Sequence, residues 1–120
     1  IDQQNIELIR TGMESACSAG GTAYPFFPWN STKENKVYCK TGTAEFGAAD
    51  GKGHRKTHGW FVAFTDIKPQ ETEEKEGEKY PKKILVVVLV ESDETQSFRE
   101  GSKDASPIAL DILNWIEEFR

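Results

Sequence analysis

The sequence predicts an α+β fold, in which an antiparallel three-stranded sheet is flanked by an N-terminal and a C-terminal helix. Amphipathic segments stand at both ends of the chain, and three segments rich in β-branched and aromatic residues lie between them. Short connections between consecutive strands favour antiparallel pairing, and two amphipathic helices can cover one face of such a sheet. At 120 residues the chain amounts to one domain or less.

The first helix is predicted over residues 5–17. Apolar side chains recur there at three- and four-residue spacing, as at Ile6 and Ile9, with charged residues between them. The glycine pair at 20–21 is the expected signal for its end. The segment that follows, residues 24–35, is predicted to be a loop whose aromatic side chains pack under the domain.

Three strands are predicted over residues 37–43, 58–64 and 84–90, where β-branched and aromatic residues dominate. The connection between the second and third strands, residues 68–83, is rich in glutamate and lysine. Because such a composition cannot build a packed core, we expect a mobile, solvated acidic loop there rather than a site.

The closing helix is predicted over residues 107–119. Ser106 is expected to cap its first turn, and Pro107 suits the first helical position, where its missing N–H leaves no hydrogen bond unmade. Ile108 and Ile112 begin an apolar stripe at helical spacing, with acidic and amide residues on the opposite side.

The third strand is apolar at every position from Ile84 to Val90. A strand with one wet face should alternate between apolar and polar residues, so both faces of this one are expected to need cover. The chain has little material to supply that cover, and it starts at Ile1 rather than at Met. We therefore expect polypeptide preceding Ile1 to complete the fold. The alternatives are self-association through the exposed sheet edge, or cover by the long loops.

The charge balance argues against a nucleic-acid partner. Fifteen Lys and Arg residues stand against twenty Asp and Glu residues, a formal net charge of −5, and the chain has no basic stripe. His54 and His58 have no Cys or acidic partner at ligand spacing, so we expect neither a metal nor a cofactor. Cys17 and Cys39 are compatible with one disulfide in an exported protein or with two buried thiols, and free thiols are the favoured interpretation.

The most informative stretch is Lys40-Thr41-Gly42-Thr43, on the first predicted strand. An ammonium and two hydroxyls suit an anionic group such as a carboxylate, and the glycine allows a ligand to approach the backbone closely. On an edge strand, free N–H and C=O groups can bind an extended peptide as an added strand. The Thr43 N–H could then form half of an oxyanion hole. A lone Lys-Thr-Gly tripeptide is common by chance and usually marks a turn.

Together with its surroundings, the motif resembles the C-terminal end of the transpeptidase domain of penicillin-binding proteins, above all those of class B. Residues 8–13 are similar to the family's helix before the Lys-Thr-Gly strand, and residues 20–23 to the segment after that helix. Residues 37–45 resemble the Lys-Thr-Gly strand itself. Residues 58–64 resemble the neighbouring strand, where the family often reads Trp-Phe-x-Gly-Phe. The third strand and closing helix also fall at the family's positions, so the resemblance spans essentially the whole chain.

The resemblance implies a role for each matching residue. The family's D,D-transpeptidases cross-link peptidoglycan by acylating a serine with the D-Ala-D-Ala end of a stem peptide, and β-lactams acylate the same serine. Lys40 would stabilise charge around the second-motif hydroxyl and the substrate carboxylate, which the hydroxyls of Thr41 and Thr43 would hold. Gly42 would let the acyl donor lie flat against the strand, and the Thr43 N–H would point at the developing oxyanion.

The chain also departs from the family's pattern. Neither Ser-x-x-Lys, which carries the nucleophile, nor Ser-x-Asn occurs in it, so the chain by itself is expected to be inactive. Cys39 stands where the family usually has a small residue, often Gly, and Ala63 replaces the usual Gly of the second strand.

The expected function is therefore that of a transpeptidase fragment that supplies the strand for substrate and β-lactam binding. Its partners would be the stem peptide, β-lactams and the missing N-terminal part of the same domain. Its location would be extracytoplasmic, in the periplasm or at the outer face of the cytoplasmic membrane, with the parent protein anchored by an N-terminal segment. The alternatives are part of a serine β-lactamase or β-lactam sensor, and a non-catalytic sheet-edge peptide-binding module.

Overall fold

A computed structural model describes residues 1–66 and 83–119 of the chain. The elements in chain order are α1 (Gln3–Ala16), a 3-10 turn (Tyr24–Phe26), α2 (Phe27–Thr32), β1 (Val37–Phe46), β2 (Lys56–Asp66), β3 (Lys83–Val90), a π-helical turn (Gly101–Ala105) and α3 (Ser106–Phe119). The predicted α+β class is confirmed. The predicted acidic loop, residues 68–83, lies outside the described residues except for Lys83, which begins β3.

The sheet is antiparallel and its strands lie in the order β1-β2-β3. Within the described residues, β1 and β3 each pair on one side only, so both are edge strands. The register places Gly42 opposite Trp60, and Trp60 opposite Leu89. Because successive side chains alternate between the two faces, these three residues share one face, and their chain neighbours lie on the other.

The core lies on the face opposite Trp60. Its sheet residues are buried, and α3 packs against β2 and β3 from that side with Ala109 and Leu113, both fully buried. Phe26 stacks on Phe61 with the ring centroids 5.3 Å apart. The core members on the three strands are Val37, Cys39, Phe61, Ala63, Val86 and Val88.

Within the segment predicted as a loop, residues 24–35, residues 24–32 fold instead into the 3-10 turn and α2, and residues 33–35 are irregular as predicted. A proline lies in the first turn of each, where its fixed φ favours a helical start. The expected packing of its aromatic residues holds for Phe26 and Trp29, which are buried, but not for Tyr24, which is exposed.

α3 begins differently from the prediction. Ser106 has helical backbone angles (φ −66°, ψ −34°), and its hydroxyl donates to the Ser102 carbonyl at 2.7 Å. The prediction of an N-cap at Ser106 is therefore wrong, because the π-helical turn extends the helix backward by five residues. The Asp104 carboxylate instead accepts the Glu100 N–H at 2.7 Å, at the true start of the helical segment.

α1 lies beside β1. Its first turn is capped by Asp2, whose carboxylate accepts the Gln4 N–H at 2.9 Å. No residue of α1 is buried, and Leu8 and Ile9 are 70% and 60% exposed. Its apolar stripe therefore contributes little to the core. None of the described helices is long and apolar enough to span a membrane.

One face of β3 remains uncovered within the described residues. Val86 and Val88 are buried, whereas Leu85 and Val87, on the opposite face, are 66% and 58% exposed. Leu89 and Trp60 extend the same surface, which we call the open apolar face (Trp60, Leu85, Val87 and Leu89). Both faces of this strand were predicted to need cover. Within the described residues only one face has it, and the other exposes an apolar surface.

Candidate functional site

Residues 40–43 lie in the middle of β1, the edge strand formed by Val37–Phe46. No strand within the described residues pairs with the outer edge of β1. The Lys40 and Thr43 residues are exposed, and Thr41 and Gly42 are half-buried. The side chains of Thr41 and Thr43 point to one face of the sheet, and that of Lys40 points to the other.

The direction of the backbone groups follows from the contact between Gly101 and the sheet. A Cβ added to Gly101 would lie 2.1 Å from the carbonyl oxygen of Trp60 and 2.7 Å from the amide nitrogen of Gly42. These two atoms therefore face each other across the paired strands, and the Gly42 N–H is directed at β2. Because N–H groups of alternate residues point to the same edge, those of Thr41 and Thr43 are directed outward.

Gly42 packs closely against β2. A Cβ added to Gly42 would lie 3.2 Å from the Cβ of Trp60. Cross-strand Cβ atoms normally stand about 4.5–5.5 Å apart. A residue with a side chain at this position would therefore require Trp60 or its strand to shift by a few tenths of an ångström.

The Lys40 ammonium donates a hydrogen bond to the carbonyl of Thr41, on its own strand. Within the described residues no carboxylate pairs with it. A bond to a single carbonyl leaves two of the three ammonium protons unused, so the positive charge can meet an incoming anion.

The two threonine hydroxyls differ in their surroundings. The Thr41 hydroxyl lies 2.9 Å from that of Thr22, in the segment after α1. The Thr43 hydroxyl has no partner among the described residues. Thr43 is therefore the better placed of the two to bind a ligand, because its hydroxyl is exposed and lies beside an outward N–H.

Cys17 and Cys39 form a disulfide, with their Cα atoms 5.9 Å apart. The favoured interpretation of two free thiols is therefore wrong. Sequence separation hid the pairing: the two positions are 22 residues apart along the chain, but the end of α1 packs against the start of β1. The bond joins β1 at the residue directly before Lys40.

The two histidines stabilise the turns at one end of the sheet. The His58 Nδ1 accepts the Ser92 N–H at 3.1 Å, and its ring stacks on Phe46. The His54 Nδ1 lies 3.6 Å from the Asp50 carboxylate. The N–H of His54, and then that of Lys52, holds the pKa of Asp50 below its ordinary value. In the described ranges no three His, Cys, Asp or Glu residues converge on a metal position.

Sequence reasoning missed three features that position this strand: the disulfide, the Thr22 contact and the close approach of Gly101. The sequence marks residues 20–23 as the end of a helix and as part of the family resemblance, but not as a contact of β1. Their partner on β1 is distant in sequence, and a single chain gives no signal for such a pair. The only available signal for Gly101 was the glycine itself, a few residues before a helix.

A sheet edge with outward N–H groups, an available ammonium and an exposed hydroxyl is the kind of site that binds an extended peptide bearing a carboxylate. The family model of the penicillin binding protein transpeptidase domain matches residues 1–114. The chain therefore belongs to the penicillin-binding protein transpeptidase family. Domains of this family bind peptidoglycan stem peptides and β-lactams, and they are typically extracytoplasmic. Searches of curated proteins and of solved structures returned no match.

Proposed function

We propose that this chain is the substrate-binding part of a D,D-transpeptidase that cross-links peptidoglycan. The observation that carries the proposal is the position of residues 40–43 on an edge strand whose outer N–H groups are unpaired by any described strand. An edge strand can take up an extended stem peptide by main-chain hydrogen bonds. A strand paired on both sides could not.

The terminal carboxylate of the stem peptide is the group that Lys40 and Thr43 would bind. The ammonium and the hydroxyl flank the outward edge, and charge-assisted hydrogen bonds to a carboxylate are roughly twice as strong as neutral ones. β-Lactams carry a carboxylate in an equivalent place relative to their reactive carbonyl, so the same residues would bind them. The Thr41 hydroxyl, which already contacts that of Thr22, has the smaller role.

The Thr43 N–H would stabilise the oxyanion that forms when the acyl carbonyl is attacked. In that step the serine hydroxyl gives its proton to the base, its oxygen bonds to the carbonyl carbon, and the carbonyl oxygen becomes negative. The C–N bond then breaks, the terminal D-Ala leaves as an amine that takes up the proton from the base, and an acyl-enzyme remains. The attacking serine, its base and the second oxyanion donor are not in this sequence, which lacks both Ser-x-x-Lys and Ser-x-Asn. We assign them to other parts of the same domain.

Labelling with a fluorescent penicillin tests this assignment. The full-length protein is expected to form a covalent adduct that survives denaturation, and this chain alone is expected to form none. Labelling of the isolated chain would contradict the placement of the nucleophile. A full-length protein that stays unlabelled would contradict the proposed function.

The fate of the adduct separates the proposed function from a β-lactamase. A transpeptidase should release the hydrolysed antibiotic slowly, so the label persists for many minutes after excess antibiotic is removed. Rapid turnover of the antibiotic by the full-length protein would favour the β-lactamase instead. Absence of an adduct combined with tight peptide binding would favour a non-catalytic peptide-binding module.

A further inference from the structure

The Cys17–Cys39 disulfide is attached to β1 directly beside the proposed carboxylate-binding residue. Both half-cystines are fully buried, and the bond ties the end of α1 to the residue before Lys40. On the other side of Lys40, the Thr41 hydroxyl meets that of Thr22 at 2.9 Å. The turn after α1 is thus joined to β1 on both sides of Lys40.

That turn is itself closely held. The Ala23 N–H donates to the Ala16 carbonyl at 2.9 Å. Gly21 packs so closely on the end of α1 that an added Cβ would lie 2.3 Å from the Ser15 carbonyl oxygen. A side chain at that position would force the turn away from the helix. The short segment between Cys17 and Thr22 is therefore a compact support rather than a loose connection.

Apart from the disulfide, a cation–π contact joins α1 to β1, with the Arg10 guanidinium 4.7 Å from the centroid of the Tyr38 ring. No residue of α1 is buried, and β1 has a strand neighbour on one side only within the described residues. Elements with few buried apolar contacts open locally at low cost in free energy. The covalent bond keeps the end of α1 joined to β1 even when the weaker contacts between them break.

We propose that the Cys17–Cys39 disulfide is a positioning cross-link for the substrate-binding strand, and that it sets the place of Lys40 and Thr41 for acylation. This inference rests on the proposed function. A displacement of about 1 Å in a residue that orients the substrate can lower a reaction rate about a hundredfold. An oxidising, extracytoplasmic compartment is where such a bond forms and persists.

The test compares the full-length protein with its Cys17→Ala, Cys39→Ala and doubly substituted variants. The rate constant for acylation by a fluorescent penicillin is measured at 25 °C on protein shown to be folded by circular dichroism. We expect each single variant to react about ten- to a hundredfold more slowly than the unchanged protein. The double variant should match the single variants, because either substitution removes the same bond.

Leu113→Ala is the matched control for stability. Leu113 is fully buried in α3, which packs mainly on β2 and β3, so its truncation lowers the melting temperature and leaves the Cys17–Cys39 bond intact. Its acylation rate should stay within about twofold of the unchanged protein, since a general loss of stability does not slow the folded fraction. Cysteine variants with a lower melting temperature but an unchanged acylation rate would overturn the inference. The bond would then contribute to stability only.

Thr22→Val keeps the inference testable if the cysteine variants do not fold. This change removes one hydroxyl contact with Thr41 and leaves the buried disulfide intact. We expect a two- to tenfold slower acylation, about the contribution of one hydrogen bond, at an unchanged melting temperature. Normal acylation by this variant, together with an equal rate for the unchanged protein before and after reduction of the disulfide with dithiothreitol, would contradict the inference. An unlabelled parent protein would instead refute the proposed function on which it rests.

Discussion

β1 and β3 are the two outer strands of one sheet, and they expose opposite kinds of surface. From Lys40 to Ala44 β1 presents a charge, hydroxyls and small residues, whereas β3 exposes Leu85, Val87 and Leu89 on its open face. An edge that must stay accessible to a ligand is protected from wrong pairing by charged and polar side chains. An apolar outer strand without that protection is suited to burial against further polypeptide. Under the proposed function, the contrast is between a binding edge, β1, and a packing strand, β3.

The largest expected effect comes from removing the positive charge of Lys40 on β1. Lys40→Ala in the full-length protein should slow acylation by a penicillin about 10²–10³-fold, because the carboxylate loses its charged partner where the reacting bond must be oriented. Lys52→Ala is the control, since Lys52 lies in the exposed turn between β1 and β2 and should leave the rate unchanged. Acylation of the Lys40 variant within twofold of the unchanged protein would remove β1 from the site.

The next largest effect is expected at Gly101, which packs against Gly42 of β1 and Trp60 of β2. Gly101→Ala would place a methyl group 2.1 Å from the Trp60 carbonyl oxygen and 2.6 Å from that of Gly42. We expect the free energy of unfolding to fall by about 1–3 kcal/mol, measured by denaturant titration. Gly12→Ala, in α1, is the matched control: nothing lies within 4 Å of the added methyl group. It should be neutral or stabilising by up to about 1 kcal/mol, because alanine favours a helix. Equal behaviour of the two variants would refute the close contact at Gly101.

A smaller effect tests the open face of β3. If the rest of the full-length protein covers that face, Val87→Thr should lower its free energy of unfolding by about 1–2 kcal/mol, since a hydroxyl would be buried without a partner. In the isolated chain, where Val87 is 58% exposed, the same change should stay within about 0.5 kcal/mol. A full-length protein that tolerates the change equally well would show that this face is open to solvent.

The smallest expected effect is on the pH dependence of stability, through Asp50 in the turn that joins β1 to β2. Backbone N–H groups of His54 and Lys52 hold the pKa of Asp50 below its ordinary value of 3.8. A lowered pKa in the folded state means that the contribution of Asp50 to stability is complete above pH 3.8 and is lost as the pH falls through the folded value. An NMR titration of the Asp50 carboxyl carbon should give a midpoint below 3.8, and the amide signal of His54 should move with it. A midpoint at or above 3.8 would contradict these hydrogen bonds.

Much of this fold was predictable because local patterns set it. The β-branched runs located the middle of each strand, and only the ends were missed, with β1 continuing to Phe46 and β2 beginning at Lys56. Helix α1 begins two residues before its predicted start at residue 5, because Asp2 caps it. Ser106-Pro107 has the pattern of a helix start. The helical segment nevertheless begins earlier, at Gly101, which lies against the sheet.

The residues of the candidate site were predictable from a local motif, but their surroundings were not. The residue types at 40–43 suit the binding of a carboxylate only when the strand lies at an edge, and strand order depends on pairing that a single sequence does not encode locally. The difference between Thr41 and Thr43 arises from Thr22, nineteen residues away in the chain. The pairing of Cys17 with Cys39 likewise depends on the packing of α1 beside β1, which no periodicity in the sequence predicts.

A crystal structure of the full-length protein acylated by a β-lactam tests the central claim most directly. The account predicts that the acyl carbonyl oxygen lies about 2.7–3.1 Å from the Thr43 nitrogen, with the ligand carboxylate against Lys40 and the Thr43 hydroxyl. An acyl group directed away from β1, with the outer N–H groups of that strand bonded to another part of the protein, would contradict it.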